Sequence, residues 1–311
     1  MTAQSLIIGA GGLVGSAIAT HTEAGTIRAK VDWSTPQAVV ASLRPTLRRF
    51  CHQDEDVLAP KRIYWAAGRT VISSSDSEIE RELVTFRAVL NLVSEQRTSP
   101  VTFILISSAG ALFRGSRGPA ITESTSPDPS SAYGTMKLNQ ERLLSDLCRQ
   151  HAHRALILRA PTVYGSHQDP AKHQGLISAL IRSIHTSALV SIFVPRDSRR
   201  NYLWADDLAR IAVKLPDKIP VAPGTSAVRI IATDRSRTID EVVEAVSRIA
   251  RRRPVVQFMA ANHSSGHGFD LTQRSEYSEM QQFGPFTGLP EGVHRLLRRS
   301  FAANSSAQVS A

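Results

Sequence analysis

The stretch Gly9-Ala10-Gly11-Gly12-Leu13-Val14-Gly15 decides how this chain folds. It contains the pattern G-x-x-G-x-x-G, and it stands between an apolar run at 5–9 and a helix predicted over 13–21. Glycines in such a turn let the backbone approach a pyrophosphate closely, and the start of the helix offers free N–H groups. The turn therefore predicts a dinucleotide site that includes Gly9, Gly11, Gly12, Leu13, Val14 and Gly15.

Strands and helices alternate through the first half of the chain. Apolar runs predict further strands at 26–31, 62–68, 101–107 and 155–160, and helical periodicity predicts helices at 36–49, 77–96 and 132–150. This alternation predicts an α/β protein with a Rossmann-type, doubly wound parallel sheet.

The pattern is looser after residue 160. Helices are predicted at 175–186, 206–214, 238–252 and 290–301, with short strands near 190–194, 227–231 and 255–258. We expect a Rossmann domain over 1–160, to which 195–230 returns. We expect a smaller, discontinuous α/β substrate domain formed by 161–194 and 231–301, and a disordered tail at 302–311.

The charge of the 311-residue chain is strongly basic. Thirty-seven Lys and Arg against 27 Asp and Glu give a net charge of +10, which fits a nucleic acid, a membrane surface or an anionic small substrate. The basic runs at 251–253 and 295–299 fall at or near predicted helix ends, where they favour the helix dipole, so no nucleic-acid partner is predicted. No apolar run reaches ~18 residues and no signal peptide is evident, so we predict a cytoplasmic protein without a membrane partner.

Cysteine and histidine do not indicate a metal site. Cys51 and Cys148 form no CxxC motif. The pairs His151/His153 and His263/His267 have usable spacings but no carboxylate or thiolate close by in the sequence, so no metal is predicted.

Asp32 is the candidate for holding the adenosine ribose. A dinucleotide fold usually carries an acid at the end of its second strand, and Asp32 follows the strand at 26–31. NAD is the favoured cofactor on this ground. Arg28 and Lys30 would suit a 2′-phosphate, so NADP stays open.

Tyr133 and Lys137 form a Y-x-x-x-K pair at the start of the helix at 132–150. A spacing of i, i+4 places both side chains on one helix face. A free phenol ionises only near pH ~10, and a neighbouring ammonium stabilises the phenolate, so such a pair can move a proton to or from a sugar oxygen. Ser108 directly follows the strand at 101–107, 25 residues before Tyr133, and would place a hydroxyl at the same edge of the sheet.

With these elements the chain resembles the extended short-chain dehydrogenase/reductases, the NAD-dependent epimerase/dehydratase family of nucleotide-sugar enzymes. The matching stretches are GAGGLVGS (9–16), WAAG (65–68), ISSAGALF (106–113), ITESTSPDPSSAYGTMKLNQE (121–141), LRAPTVYG (158–165) and RRNYLWADDLA (199–209).

The resemblance implies roles for individual residues. Tyr133 would be the catalytic acid/base, Lys137 would bind the nicotinamide ribose, and Ser108 would hydrogen-bond the reacting sugar oxygen. The residues implied to approach the cofactor are Ala66, Ala67, Gly68, Ala160 and Pro161, and those implied to contact the substrate are Ser108, Thr162 and Arg200. The family resemblance also implies a homodimer through the helices near 77–96 and 132–150.

Departures from the family pattern reduce the range of activities that we expect for this chain. Ala109-Gly110 cannot supply the acid and base of a 4,6-dehydratase, while Thr162 and Asn201 replace an Asn and an Asp that are common in the family. We expect an NAD(P)-dependent nucleotide-sugar epimerase that works by reversible hydride transfer. The alternatives are an NADPH-dependent nucleotide-deoxysugar 4-ketoreductase and, from another class, a non-catalytic dinucleotide sensor.

Overall fold

A computed structural model describes residues 3–52, 59–96, 99–114, 120–168, 175–233, 235–259 and 270–309, with side chains described up to residue 300. Six strands form the central sheet: β1 Gln4–Ile8, β2 Ile27–Arg28, β3 Lys61–Trp65, β4 Thr102–Ser108, β5 Arg154–Ala160 and β10 Thr225–Ile230. Their order is β10-β5-β4-β3-β1-β2, and every neighbouring pair is parallel.

Both faces of this sheet are buried. Successive residues of a strand point to opposite faces, so Leu6 and Ile8 belong to one apolar cluster and Ile7 to another. Helices on the first face are α2 Pro36–His52, α3 Asp76–Ser94 and α5 Ala132–His151, and those on the second are α1 Leu13–His21 and α7 Ala205–Lys214. The predicted Rossmann-type fold is confirmed.

The order of the strands reverses at β1. The chain leaves β1 for the edge strand β2 and then crosses back over β1 to β3. In open parallel sheets, ligands bind outside the carboxyl ends of the strands at such a reversal. The glycine turn at 9–12 lies at this end of β1.

The remaining elements are mostly short. They are α4 Ala109–Leu112, β6 Thr162–Tyr164, α6 Leu176–Thr186, β7 Val190–Ile192, β8 Arg199–Arg200, β9 Tyr202–Trp204, β11 Arg237–Thr238, α8 Ile239–Ala250, β12 Val256–Phe258, β13 Asp270–Leu271 and α9 Leu289–Val309, with 3-10 helices at Leu215–Asp217 and Ser278–Phe283. Residues of α6, α8 and α9 share a third buried cluster. Segments after residue 160 return to the sheet, because β10 pairs with β5 and α7 packs on α1. The division into two domains stays a prediction.

Several element boundaries differ from those predicted. β2 is two residues long rather than six, because it is an edge strand whose sole partner, β1, ends at Ile8. β3 ends at Trp65 rather than at 68, where the chain passes the glycine turn. Helix α9 extends to Val309, beyond its predicted end at 301, and residues 302–309 contain neither Gly nor Pro to end it. The disorder predicted for 302–311 stays a prediction.

No helix in the described part of the chain is both long and apolar enough to cross a membrane.

Candidate active site

The turn between β1 and α1 is packed backbone against backbone. Gly9 has a φ of +94°, in the region that favours glycine, and a Cβ there would lie 2.6 Å from the amide nitrogen of Ala67. A Cβ on Gly15 would lie 2.0 Å from the carbonyl oxygen of Gly9. Ala66 donates its N–H to the carbonyl of Ile8 at 3.0 Å, so the 66–68 segment borders the turn.

The turn leaves room for an anion at the start of α1. A Cβ on Gly11 would meet nothing within 4 Å. Helix α1 begins after Gly12, which makes no side-chain cap, and its first turn carries no acidic residue. An uncapped helix N-terminus with close backbone approach fits a pyrophosphate group.

Two glycine substitutions separate packing from ligand binding. We expect Gly15→Ala to lower the free energy of unfolding by about 1–3 kcal/mol, because its Cβ overlaps the Gly9 carbonyl. Gly11→Ala should change that free energy by less than about 0.5 kcal/mol and yet weaken NAD(H) binding tenfold or more, since its methyl enters the space left for the ligand. Denaturant unfolding and a binding titration measure the two effects. Unchanged NAD(H) affinity in Gly11→Ala would contradict this placement of the cofactor.

Ser108 lies at the carboxyl end of the sheet. It is the last residue of β4 and pairs in register with Ala160, the last residue of β5. Its hydroxyl accepts a hydrogen bond from the N–H of Ala111 at 3.3 Å and caps α4. Pro161 is buried directly after Ala160. Three predicted site residues therefore share one edge of the sheet.

Tyr133 and Lys137 stand on the first two turns of α5. The helix is capped by Ser131, whose hydroxyl accepts from the N–H of Gly134 at 3.1 Å. A Cβ on Gly134 would lie 2.4 Å from the Ala111 carbonyl oxygen, so α5 packs directly against the helix that Ser108 caps. The Lys137 Nζ lies 5.6 Å from the centroid of the Tyr133 ring. The structure thus brings Tyr133 and Lys137 together on α5, next to the helix that Ser108 caps.

Lys137 has two buried partners that the sequence analysis missed. Its ammonium donates to the Oε1 of Gln140 at 3.1 Å and lies 3.5 Å from the Oε1 of Glu82 on α3. Burial raises the pKa of Glu82, but the Lys137 charge and the hydrogen bonds from Thr70 and Arg69 outweigh it and hold that pKa below its ordinary value. Glu82 could have been found from its position on the buried stripe of α3, three residues after Ile79.

A second buried ion pair anchors α5 to the sheet. The Arg159 guanidinium on β5 donates to both carboxylate oxygens of Glu141, with the shortest distance 2.8 Å. Ser107 on β4 donates its hydroxyl to the same carboxylate at 2.5 Å. Glu141 lies one turn beyond Lys137, so this cluster ties the face of α5 that carries Lys137 to the strands that end at Ser108 and Ala160.

Asp32 does not stand directly at the end of β2, which stops at Arg28. It is exposed, and its carboxylate accepts the N–H of Ser34 at 2.9 Å, a hydrogen bond that lowers the pKa of Asp32. Arg28 donates to the Ala19 carbonyl at 3.1 Å, about 9 Å along α1 from the glycine turn at ~1.5 Å per residue. Both Arg28 and Lys30 are exposed, and both stay predicted 2′-phosphate groups.

Half-buried Arg200 interacts electrostatically with a buried arginine, Arg114. Arg200 donates to the Arg199 carbonyl at 2.7 Å. Burial lowers the pKa of both guanidiniums, and the charge of Arg200 lowers that of Arg114 further. Two cations held near each other in partly dry surroundings favour an anionic ligand.

Asn201 explains one departure from the family pattern. Its amide nitrogen donates to the carbonyl and hydroxyl of Thr233, at 2.9 and 3.1 Å, and its amide oxygen accepts the N–H of Gln273 at 2.9 Å. An Asp at this position could not donate to the Thr233 carbonyl. The Asn201 carbonyl accepts the N–H of Thr162 at 3.1 Å, which places Thr162 beside β9.

Metal binding finds no support in the described residues. No group of three His, Cys, Asp or Glu side chains among them is arranged to hold a metal ion. His151 and His153 stack at 6.1 Å, and His153 is buried. His263 and His267 lie outside the described residues.

Residues 5–225 match the model of the NAD dependent epimerase/dehydratase family. The chain belongs to this family. Among solved structures it is similar to UDP-glucose 4-epimerase of Thermus thermophilus in complex with NAD, with a TM-score of 0.78, 18% identity and coverage of 95% of this chain and 98% of that one. It is also similar to UDP-glucuronic acid 4-epimerase of Bacillus cereus in complex with UDP-glucuronic acid and NAD, with a TM-score of 0.75, 19% identity and coverage of 95% and 99%. These likenesses establish the fold.

One curated relative is a reductase. The dTDP-4-dehydro-6-deoxyglucose reductase of Escherichia coli is 21% identical over 195 residues. That match spans 63% of this chain and 60% of the reductase.

Proposed function

We propose that this family member is an NAD(P)-dependent nucleotide-sugar epimerase that works by reversible hydride transfer at a sugar carbinol. The observation that carries the proposal is the Tyr133–Lys137 pair, held on α5 beside the helix that Ser108 caps. The open glycine turn lies at the carboxyl end of the same sheet. General acid/base groups next to a dinucleotide site suit the interconversion of an alcohol and a ketone.

The chain's own residues would divide the chemistry as follows. Tyr133 takes the proton of the sugar hydroxyl and later returns it. Lys137, whose ammonium is held at 3.1 Å by Gln140, favours the phenolate form of Tyr133 and binds the nicotinamide ribose. Ser108 donates its hydroxyl to the reacting sugar oxygen. NAD, when bound, supplies a nicotinamide ring that accepts a hydride and gives it back.

The cofactor would lie along the carboxyl edge of the sheet. The glycine turn would receive its pyrophosphate, Asp32 its adenosine ribose, and the segments Ala66–Gly68 and Ala160–Pro161 its nicotinamide half. The family description and the NAD of the structural neighbours support NAD. Exposed Lys30 keeps NADP open.

The substrate would carry its own pyrophosphate, received by Arg200 with Arg114 nearby, and Thr162 would face the sugar. The UDP sugars that name the structural neighbours support this substrate class. A cytoplasmic location is part of the same proposal, as is a homodimer through α3 and α5, which rests on the family resemblance.

A 4-ketoreductase using NADPH is the second candidate, and the similarity to the Escherichia coli reductase favours it. A non-catalytic sensor fits less well. Such a protein would have no need of the Ser108, Tyr133 and Lys137 set, or of the buried partners that hold Lys137.

Product analysis separates these candidates. Purified protein is incubated with UDP- and dTDP-sugars plus NAD, and with a dTDP-4-keto-6-deoxysugar plus NADPH, and the products are identified by NMR. An epimerase yields the inverted sugar with no net loss of NAD. A reductase consumes one NADPH per sugar reduced. A sensor binds the dinucleotide and yields neither product.

A further inference from the structure

The Glu82 carboxylate joins three parts of the site. Its Oε2 accepts hydrogen bonds from the N–H groups of Arg69 and Thr70 at 2.9 and 3.0 Å and from the Thr70 hydroxyl at 2.8 Å. Its Oε1 has no hydrogen-bond partner among the described residues and lies 3.5 Å from the Lys137 Nζ. A single side chain on α3 therefore holds both the segment after Gly68 and the lysine of the catalytic pair.

This ion pair is shielded from water. The side chains of Lys137 and Glu82 are 7% and 10% exposed. Charges so placed act on each other and on their neighbours more strongly than charges in solvent. Lys137 alone would stabilise a phenolate at Tyr133, whereas a buried carboxylate on the other side of the ammonium opposes that effect.

The other ionisable groups on the elements packed against α5 either interact with another charged residue or are exposed to solvent. Glu141 on α5 is paired with Arg159 of β5, and Arg229 of β10 is paired with Glu279. β4 and α4 carry no ionisable side chain, Arg114 after α4 interacts with Arg200, and Arg69 is exposed. The other charged residues of α3 are exposed: Asp76, Glu78, Glu80, Arg81 and Arg87.

We propose that Glu82 is a positioning residue that fixes the Lys137 ammonium and offsets its charge at Tyr133, so that Tyr133 is biased towards its proton-donating form. The inference rests on the proposed function for the acid/base role of Tyr133. A proton-donating tyrosine favours the step in which a ketone is reduced to an alcohol. Glu82 would thus set the balance between the two directions of hydride transfer.

Glu82→Gln tests this directly. Its amide oxygen can keep the contacts to Arg69 and Thr70, while an NH2 group replaces the oxygen that faces Lys137. Without the carboxylate the ammonium acts on Tyr133 unopposed. The limb of the pH–rate profile governed by Tyr133 should then move to lower pH by about 0.5–1 unit, whichever direction is assayed. Glu80→Gln, the same change on the exposed side of α3, should leave the profile in place.

A measurement without substrate keeps this test separate from the proposed function. The chain has five tyrosines, so protein labelled with 13C at tyrosine Cζ gives few signals, and that of Tyr133 is assigned by its loss in Tyr133→Phe. In NAD-bound Glu82→Gln the Tyr133 signal should titrate at lower pH than in wild type, even if no sugar is turned over. Glu82→Asp, which keeps the charge, should stay near wild type.

Two outcomes would overturn the proposal: a Tyr133 titration in Glu82→Gln that coincides with wild type, or one that moves to higher pH. Thermal melting checks that each variant folds. Should Glu82→Gln not fold, Lys137→Gln is compared with the double variant Glu82→Gln/Lys137→Gln. The proposal requires Tyr133 to titrate at lower pH in the double variant, and equal titrations would overturn it.

Discussion

Tyr133→Phe is expected to lower kcat by about 10²–10⁴-fold on whichever nucleotide sugar the wild type accepts. The substitution keeps the ring beside Lys137 and removes the hydroxyl that exchanges the proton. An interaction made only in the transition state lowers kcat and kcat/KM equally, so KM should change little. Steady-state kinetics measure all three quantities.

Tyr277→Phe is the matched control for this loss. Tyr277 is 40% exposed, and its ring stacks on Arg229 at 3.5 Å. We expect it to keep kcat within about twofold of wild type, and we expect NAD(H) affinity to change little in either variant. Full turnover by Tyr133→Phe would remove the acid/base role from this residue.

Glu141→Leu is expected to lower the free energy of unfolding by about 3–5 kcal/mol. It leaves the Arg159 guanidinium buried without its carboxylate and deprives the Ser107 hydroxyl of its acceptor. Both side chains of the ion pair are less than 10% exposed, so water cannot replace the lost partner cheaply. Denaturant unfolding followed by circular dichroism measures the change.

Two variants bracket this result. Glu141→Leu/Arg159→Met removes both charges and should recover most of the loss, because no unpaired charge remains buried. Asp146→Ala breaks the exposed pair with Arg149 further along the same helix, which should cost less than about 1 kcal/mol. A loss in Glu141→Leu no greater than that in Asp146→Ala would show that the buried pair does not anchor α5.

Local sequence was enough to predict the parallel sheet. The β1–turn–α1 segment combines an apolar strand with glycines, and the structure explains two of those glycines by the close approach of Gly15 to Gly9 and of Gly9 to Ala67. Tyr133 and Lys137 are four residues apart on one helix, so their proximity follows from helix geometry alone.

Contacts between distant segments could not be predicted in the same way. Glu82 and Lys137 are 55 residues apart, and only the packing of α3 on α5 brings them together. The same holds for Arg114 and Arg200. For Asp32 the local pattern was misleading. It predicted a strand up to residue 31 with Asp32 directly after it, but an edge strand pairs only as far as its neighbour extends.

We propose that the site at the carboxyl edge of the sheet transfers a hydride between a nicotinamide and a nucleotide sugar. The most direct test is to mix the NAD-loaded protein with UDP- and dTDP-sugars, and the NADPH-loaded protein with a dTDP-4-keto-6-deoxysugar, and to follow the nicotinamide fluorescence in a single turnover. We predict a change in nicotinamide redox state with at least one of these nucleotide sugars in the wild type and its loss in Tyr133→Phe. No change with any of them, or an equal change in the two proteins, would contradict the account.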